Sequence, residues 1–231
     1  MDFKSDVLEQ LKINLNEEQL NQFELYYEKL IAFNTHTNLT TITEKKDVYY
    51  KHFFDSLTIS YYIDNKSAKL CDMGSGAGFP SIPLKIVYPD LKITIIDSNN
   101  KRIKFLKELV VLLNLKNVEL IHNRIEVYAL KNQQKFNYVT ARALGNLTLI
   151  TEMALPMLKD GGTFIAMKGS QGEKELEEAS NAINITGGKV ISERYLQLPL
   201  EYGERSIYTI KKVKHVDGYP RQYQQMLKKP L

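Results

Sequence analysis

The chain has 231 residues, 43% of them hydrophobic and 25% charged, and carries a net charge of +4. At about 150 residues per domain this suits one domain with an appendage or two small ones, and it excludes a disordered, collagen-like or coiled-coil chain. A single cysteine, Cys71, excludes an internal disulfide and an all-cysteine zinc cluster, so no metal is expected and a reducing, cytoplasmic location is the default.

No run of eighteen apolar residues is present, so no membrane span is expected, and Lys4, Asp6 and Glu9 interrupt any secretory signal. The charge is unevenly spread. Residues 1–66 hold seven Lys/Arg against eleven Asp/Glu, whereas the last 43 hold nine against four. A basic tail on a near-neutral body suits a polyanion, although Lys211, Lys212, Lys214, Lys228 and Lys229 could equally be solvated surface.

In chain order, Leu11, Leu15, Leu20, Phe23, Tyr27, Leu30 and Ile31 recur at three- and four-residue steps, which predicts one face of a helix or helical pair. Asn16 followed by Gln19 resembles a capping box. A polar stretch, 34–43, leads to a second helical piece through Tyr50 and His52 to Tyr62, and Asp64-Asn65-Lys66 closes a helical N-terminal cap over 1–66. From 67 to 231 short strands alternate with helices. Strands are predicted at 69–73, 92–97, 118–122, 136–141 and 162–167, and helices at 80–87, 102–113, 147–158 and 173–185. Segments 189–198 and 206–213 suit an antiparallel strand pair. Alternation of this kind implies an α/β fold with a mostly parallel, doubly wound sheet, because parallel neighbours need crossover helices. Its ligands belong at the carboxyl ends of the strands.

After the first strand comes Asp72-Met73-Gly74-Ser75-Gly76-Ala77-Gly78-Phe79-Pro80. Gly74, Gly76 and Gly78 allow a sharp turn and close approach to a ligand. Asp97, at the end of the second strand, can accept both hydroxyls of a ribose. The spacing is neither G-x-G-x-x-G nor a P-loop; it is similar to the first motif of class I, Rossmann-like methyltransferases, which bind S-adenosylmethionine. Methylation of pyrimidine C5 needs a nucleophilic cysteine, and Cys71 lies inside a strand. Methylation of exocyclic amines is disfavoured, since Thr140-Ala141-Arg142-Ala143-Leu144 stands where a proline pair would be expected. An endocyclic nitrogen such as guanine N7 already presents a lone pair and needs alignment more than a base. From the residues alone, a methyltransferase for a small molecule or protein, a degenerate RNA-binding module and a nicotinamide oxidoreductase remain alternatives.

The order and spacing of further motifs carry a resemblance to a known family. They are Asn38-Leu39-Thr40, His52-Phe53, Asp55-Ser56-Leu57, the glycine loop, Ile82-Pro83-Leu84, Asp97-Ser98, Lys101-Arg102 and Phe105-Leu106. Arg124-Ile125-Glu126, Ala141-Arg142-Ala143, Lys168-Gly169, Glu204-Arg205, Tyr219-Pro220-Arg221 and Lys228 with Pro230-Leu231 complete the set. From Leu30 onward the chain resembles the RsmG (GidB) family, bacterial 16S ribosomal RNA guanine-N7 methyltransferases. The resemblance implies S-adenosylmethionine as donor and a guanine in the decoding-region loop of 16S ribosomal RNA or the small subunit as acceptor; the chain is expected to be a monomer. It implies cofactor contacts from Gly74, Phe79, Ile125, Glu126 and Arg142, beside Gly76, Gly78 and Asp97 of the loop and its acid. Arg142 is also a candidate for positioning the acceptor, and Asn38, Arg205, Lys211, Lys212, Arg221 and Lys228 are candidate RNA contacts. His52 and Asp55 are expected to pair structurally rather than act as a base. The chain departs from the family at 222–227, where Gln-Tyr-Gln-Gln-Met-Leu replaces a Pro-Gly-x-Pro element, and at Phe33, where tryptophan is common.

Overall fold

The computed structural model describes residues 2–231. Helix α1 (Phe3–Leu11) ends where Lys12 turns left-handed, and α2 (Glu17–Thr37) begins at the expected capping box. The Asn16 side chain accepts from the Gln19 amide at 2.8 Å, and the Gln19 side chain accepts from the Asn16 amide at 3.0 Å. The face of α2 that buries fully is Phe23, Tyr26 and Leu30. Tyr27 and Ile31, placed on that face by the sequence pattern, flank it half-buried. The next helical piece opens with α3 (Lys45–Asp47), widens into a π-helix over Val48–Phe54, and closes through α4 (Asp55–Leu57) and a 3-10 turn at Thr58–Tyr62. Asn38 takes the left-handed cap position of α2 and donates its amide to Asn34.

The sheet strands are β1 (Lys69–Met73), β2 (Lys92–Asp97), β3 (Val118–His122), β4 (Phe136–Arg142), β5 (Leu158–Lys168), β6 (Gly188–Gln197) and β7 (Glu204–Lys212). Between them lie α5 (Ser81–Val87), α6 (Asn100–Leu112), α7 (Ile125–Lys131), α8 (Leu147–Met157) and α9 (Gly172–Ile185). A last helix, α10 (Tyr223–Lys228), follows the sheet and was not expected from the sequence. The strand order is β3-β2-β1-β4-β5-β7-β6. β7 is antiparallel to both its neighbours, so it alone is reversed and β6 runs with the others. The chain leaves β1 for β2 and β3 on one side and returns to β4 on the other, which puts the switch-point crevice beside β1.

Strand residues alternate between two cores, as a sheet covered on both faces requires. Leu70, Ile93, Ile95 and Ile165 pack with Phe23, Tyr26, Leu30, Phe53 and Leu106, so the N-terminal helices share one core with α5 and α6. Cys71, Met73, Ile96, Val139 and Phe164 point the other way, toward Ile150, Met157 and Met226. Burial holds the Cys71 thiol well above its usual range, so it is an inert packing group.

Lys212, a candidate RNA contact, is corrected by its burial. It is 1% exposed, and its ammonium donates to the carbonyls of Pro156 and Leu158 at 3.4 and 2.7 Å. A cation enclosed in this way ties β7 to the end of α8 and offers nothing to a phosphate. Lys211 is exposed, but it pairs in register with Thr163, at the opposite end of the sheet from the glycine loop.

Candidate active site

The loop after β1 carries Gly74, Gly76 and Gly78 at φ +68, +62 and +104, all left-handed. Their surroundings give them different jobs. A Cβ on Gly76 would meet nothing within 4 Å, so this glycine faces an open crevice. A Cβ on Gly78 would stand 2.7 Å from the Tyr26 hydroxyl and 2.8 Å from Ile82. On its Cβ side Gly78 is therefore a packing glycine: it lets α2 dock, and Tyr26 donates to the Ala77 carbonyl from there. We expect Gly78→Ala to cost about 2–4 kcal/mol, combining left-handed strain with overpacking. Gly76→Ala should cost only about 1 kcal/mol while weakening cofactor binding, since its methyl enters the crevice. Denaturant midpoints and calorimetric titration of the two variants separate the effects.

Asp97 ends β2 and is 2% exposed. One carboxylate oxygen accepts from the Asn99 amide at 2.8 Å, and the other from the Gly76 amide at 3.2 Å and Arg102 at 3.3 Å. The acid thus lies against the open part of the loop, where a ribose would be gripped. Next to it, Ser98, Ile125, Glu126, Leu144, Leu149, Ile150 and Met153 line a cavity of about 290 Å³ at the carboxyl ends of β2, β3 and β4. Glu126 is buried and accepts from Arg124. Asp72 Oδ1 and Ser75 Oγ are buried without a hydrogen-bond partner among the described residues. Unsatisfied polar atoms of this kind call for a ligand or water. The acid, the open glycine and the apolar cavity suit an adenosine-type cofactor.

A second cavity of about 510 Å³ meets the first at Gly145 and opens between the N-terminal helices and the ends of β4 and β5. Lys51, His52, Asp55, Arg142, Lys168, Glu175 and Arg205 line it. Arg142 is its organiser. The guanidinium donates to Asp55 at 3.1 Å and to the Lys51 and His52 carbonyls at 3.4 Å, faces His52 Nδ1 at 3.2 Å, and lies 4.8 Å from the centre of the Phe79 ring. A guanidinium can only donate, so Nδ1 is the acceptor and Nε2 carries the proton toward Thr40 Oγ1, 2.9 Å away. His52 and Asp55, three residues apart, do not pair with each other; both hold Arg142. Arg205 donates to the other Asp55 oxygen at 3.0 Å. Phe79 is enclosed, stacked on His52 at 4.5 Å and on Tyr26 at 5.5 Å, so its ring forms the wall between cap and loop.

Burial, then the charge of Arg142, pulls the His52 imidazole down to about 3. Burial pushes the Asp72 carboxyl up to about 7, against the pull of Ser81. From about pH 4 to 6.5 the unfolded chain holds a proton on His52 that the folded chain lacks, and the folded chain holds one on Asp72 that the unfolded chain lacks. The two contributions to the pH slope of stability oppose each other. Relative to wild type, His52→Gln should lose stability as pH rises through this window, and Asp72→Asn as pH falls, each by up to about 1.4 kcal/mol per pH unit. Urea unfolding at pH 4.5, 5.5 and 6.5 tests both signs.

The structure brings together Gly74, Gly76, Asp97, Ile125, Glu126 and Arg142 with their surroundings at one end of the sheet. Arg221 is not a free RNA contact. Its backbone amide, Nε and one terminal nitrogen donate to Glu152 of α8 at 2.9, 2.8 and 2.7 Å, and Glu152 is 1% exposed. This correction has a physical cause: a buried carboxylate must be paired. Glu152 was missed in the sequence, yet a lone acid among Leu147-Thr148-Leu149-Ile150-Thr151-Glu152-Met153-Ala154-Leu155 is itself a signal that a cation is needed.

A reversed β7 in an otherwise parallel sheet, with a glycine loop and a buried acid at the strand tips, defines a class I methyltransferase. Solved structures share the fold. Those of M. jannaschii TYW2 in complex with AdoMet (TM-score 0.58, 17% identity, 74% of this chain and 79% of that one) and of a SAM dependent methyltransferase from Aquifex aeolicus (TM-score 0.56, 16% identity, 76% and 97%) are two of them. The GidB family, rRNA small subunit methyltransferase G, matches residues 19–201. Proteins named ribosomal RNA small subunit methyltransferase G are similar along almost their whole length. That of Acholeplasma laidlawii is 51% identical over 96% of both chains, and that of Staphylococcus epidermidis 47% identical over 100% of this chain and 98% of its own. The chain belongs to the rRNA small subunit methyltransferase G family.

Proposed function

We propose that the protein transfers a methyl group from S-adenosylmethionine to N7 of a guanine in the decoding-region loop of 16S ribosomal RNA, acting as a cytoplasmic monomer on the small subunit or an assembly intermediate of it. Gly74 and Gly76 give backbone to the cofactor, Asp97 takes its ribose, and Ile125 and Glu126 meet the adenine. Arg142 lines the acceptor cavity, and the Phe79 ring, stacked between His52 and Tyr26, lies behind its guanidinium. Family membership supports the substrate class, and the absence among the described residues of any helix long and apolar enough to cross a membrane is consistent with that setting.

The observation that carries the chemistry is the state of His52, the only imidazole among the described residues that line the acceptor cavity. It is neutral, and both its ring nitrogens are engaged by Arg142 and Thr40. Guanine N7 uses an in-plane lone pair and loses no proton, so the reaction needs none taken away. When bound, S-adenosylmethionine supplies an electrophilic methyl on a sulfonium that departs as a neutral thioether. The residues of this chain do the remaining work by alignment and exclusion of water. Lys51, Lys168, Arg142 and Arg205 around the cavity are paired with Asp47, Glu175 and a shared Asp55, which leaves a surplus of positive charge that favours an acceptor flanked by phosphates.

The test is to map N7-methylated guanines by chemical cleavage in 16S ribosomal RNA from cells with and without the gene, alongside transfer of labelled methyl to purified small subunits. One cleavage site lost with the gene and restored by the protein is expected. An unchanged cleavage pattern would remove the assignment.

A further inference from the structure

The C-terminal segment, expected as a basic arm for RNA, is instead locked onto the catalytic domain beside the smaller cavity. Arg221 is held by the buried Glu152 carboxylate and donates a further bond to the Lys229 carbonyl at 3.1 Å, which closes the segment on itself. Gln133 donates to the Tyr219 carbonyl at 3.2 Å. Met226 is 1% exposed and packs into the core behind β4 and β5. These anchors fix Tyr223, which lies between them in sequence. Its ring lines the 290 Å³ cavity and carries the Arg124 guanidinium 4.6 Å from its centre. Arg124 in turn donates to Glu126. Tyr223, Arg124 and Glu126 therefore form one linked wall of a cavity whose remaining lining is mostly apolar.

We propose that Tyr223 contacts the cofactor: the C-terminal tail supplies one wall of the nucleobase end of the S-adenosylmethionine cavity, and the Arg221–Glu152 pair holds it there. The proposal rests on the cofactor assignment above. The cavity begins at Ser98, next to the ribose acid Asp97, and continues to Ile125 and Glu126 beyond β3. A planar base entering it meets an aromatic ring and a guanidinium plane, both surfaces on which bases stack.

The experiment titrates wild type, Tyr223→Ala and Tyr223→Phe with S-adenosylmethionine, S-adenosylhomocysteine and 5′-methylthioadenosine, which all carry the 5′-thioadenosine group. Tyr223→Ala should bind all three about tenfold more weakly, and Tyr223→Phe should stay within about twofold of wild type. Hydrogen exchange at 222–228 in wild type should slow when S-adenosylhomocysteine is added, a readout that does not depend on a variant's folding. Equal affinity of Tyr223→Ala and wild type, or exchange in the tail untouched by ligand, overturns the proposal and leaves the cofactor assignment standing. A wild type that binds none of the three overturns both.

Discussion

Asp97→Ala should weaken S-adenosylmethionine binding by about two to three orders of magnitude, read as the dissociation constant in a calorimetric titration. The acid is 2% exposed and already accepts the amides of Gly76 and Asn99, so its position is fixed before any ligand arrives. Each hydroxyl it accepts forms a charge-assisted bond worth about 1.5–3 kcal/mol. Two such bonds lost together amount to about 3–4 kcal/mol at the lower end, and about 1.4 kcal/mol is a factor of ten. Arg102 does not change this. Its contact with Asp97 is long, at 3.3 Å, and its side chain is 41% exposed, so displacing it by a ribose costs little. Asp97→Asn keeps the shape and one acceptor, and should lie between the alanine variant and wild type. A dissociation constant unchanged in both would place the ribose elsewhere.

The parts of this site visible in sequence are those set by the backbone. The glycine loop, the acid 25 positions after Asp72 and the strand–helix alternation follow from local rules, because period, turn residues and strand ends are written in consecutive residues. What escaped was set by tertiary packing. Tyr26 lies one position from Tyr27, and only the docked orientation of α2 decides which of the two rings reaches the loop at Gly78. Lys212 and Arg221 looked like two more surface cations. Their partners, the Pro156 and Leu158 carbonyls and Glu152, lie more than fifty residues away, and nothing in the basic tail itself announces them. The role of His52 and Asp55 was half visible: their spacing marked them as a unit, while the residue they serve, Arg142, comes from β4.

That unit gives the second large effect. Arg142→Ala removes the donor shared by Asp55, His52 and two backbone carbonyls, in a place where the side chain is only 14% exposed. Breaking a buried pair by deleting one partner costs about 3–5 kcal/mol, because the remaining charge is left desolvated. Here Arg205 still holds one Asp55 oxygen, so the lower end is expected, near 3 kcal/mol. For a chain of this size that lowers the melting temperature by about 6–12 °C. Arg142→Lys should not rescue it: an ammonium is a point donor and cannot reach carboxylate, imidazole and carbonyls together. His52 supplies a second readout. Arg142 is the second cause of its low pKa after burial, so in the alanine variant the imidazole titration, followed by NMR, should move up toward, but not reach, the free value. Methyl transfer to small subunits should fall about a hundredfold, since misplacement by an ångström at the acceptor cavity has an effect of that order. A variant that melts and transfers methyl like wild type would mean that Asp55 is satisfied by Arg205 alone, and that the acceptor cavity keeps its shape without the guanidinium between cap and sheet.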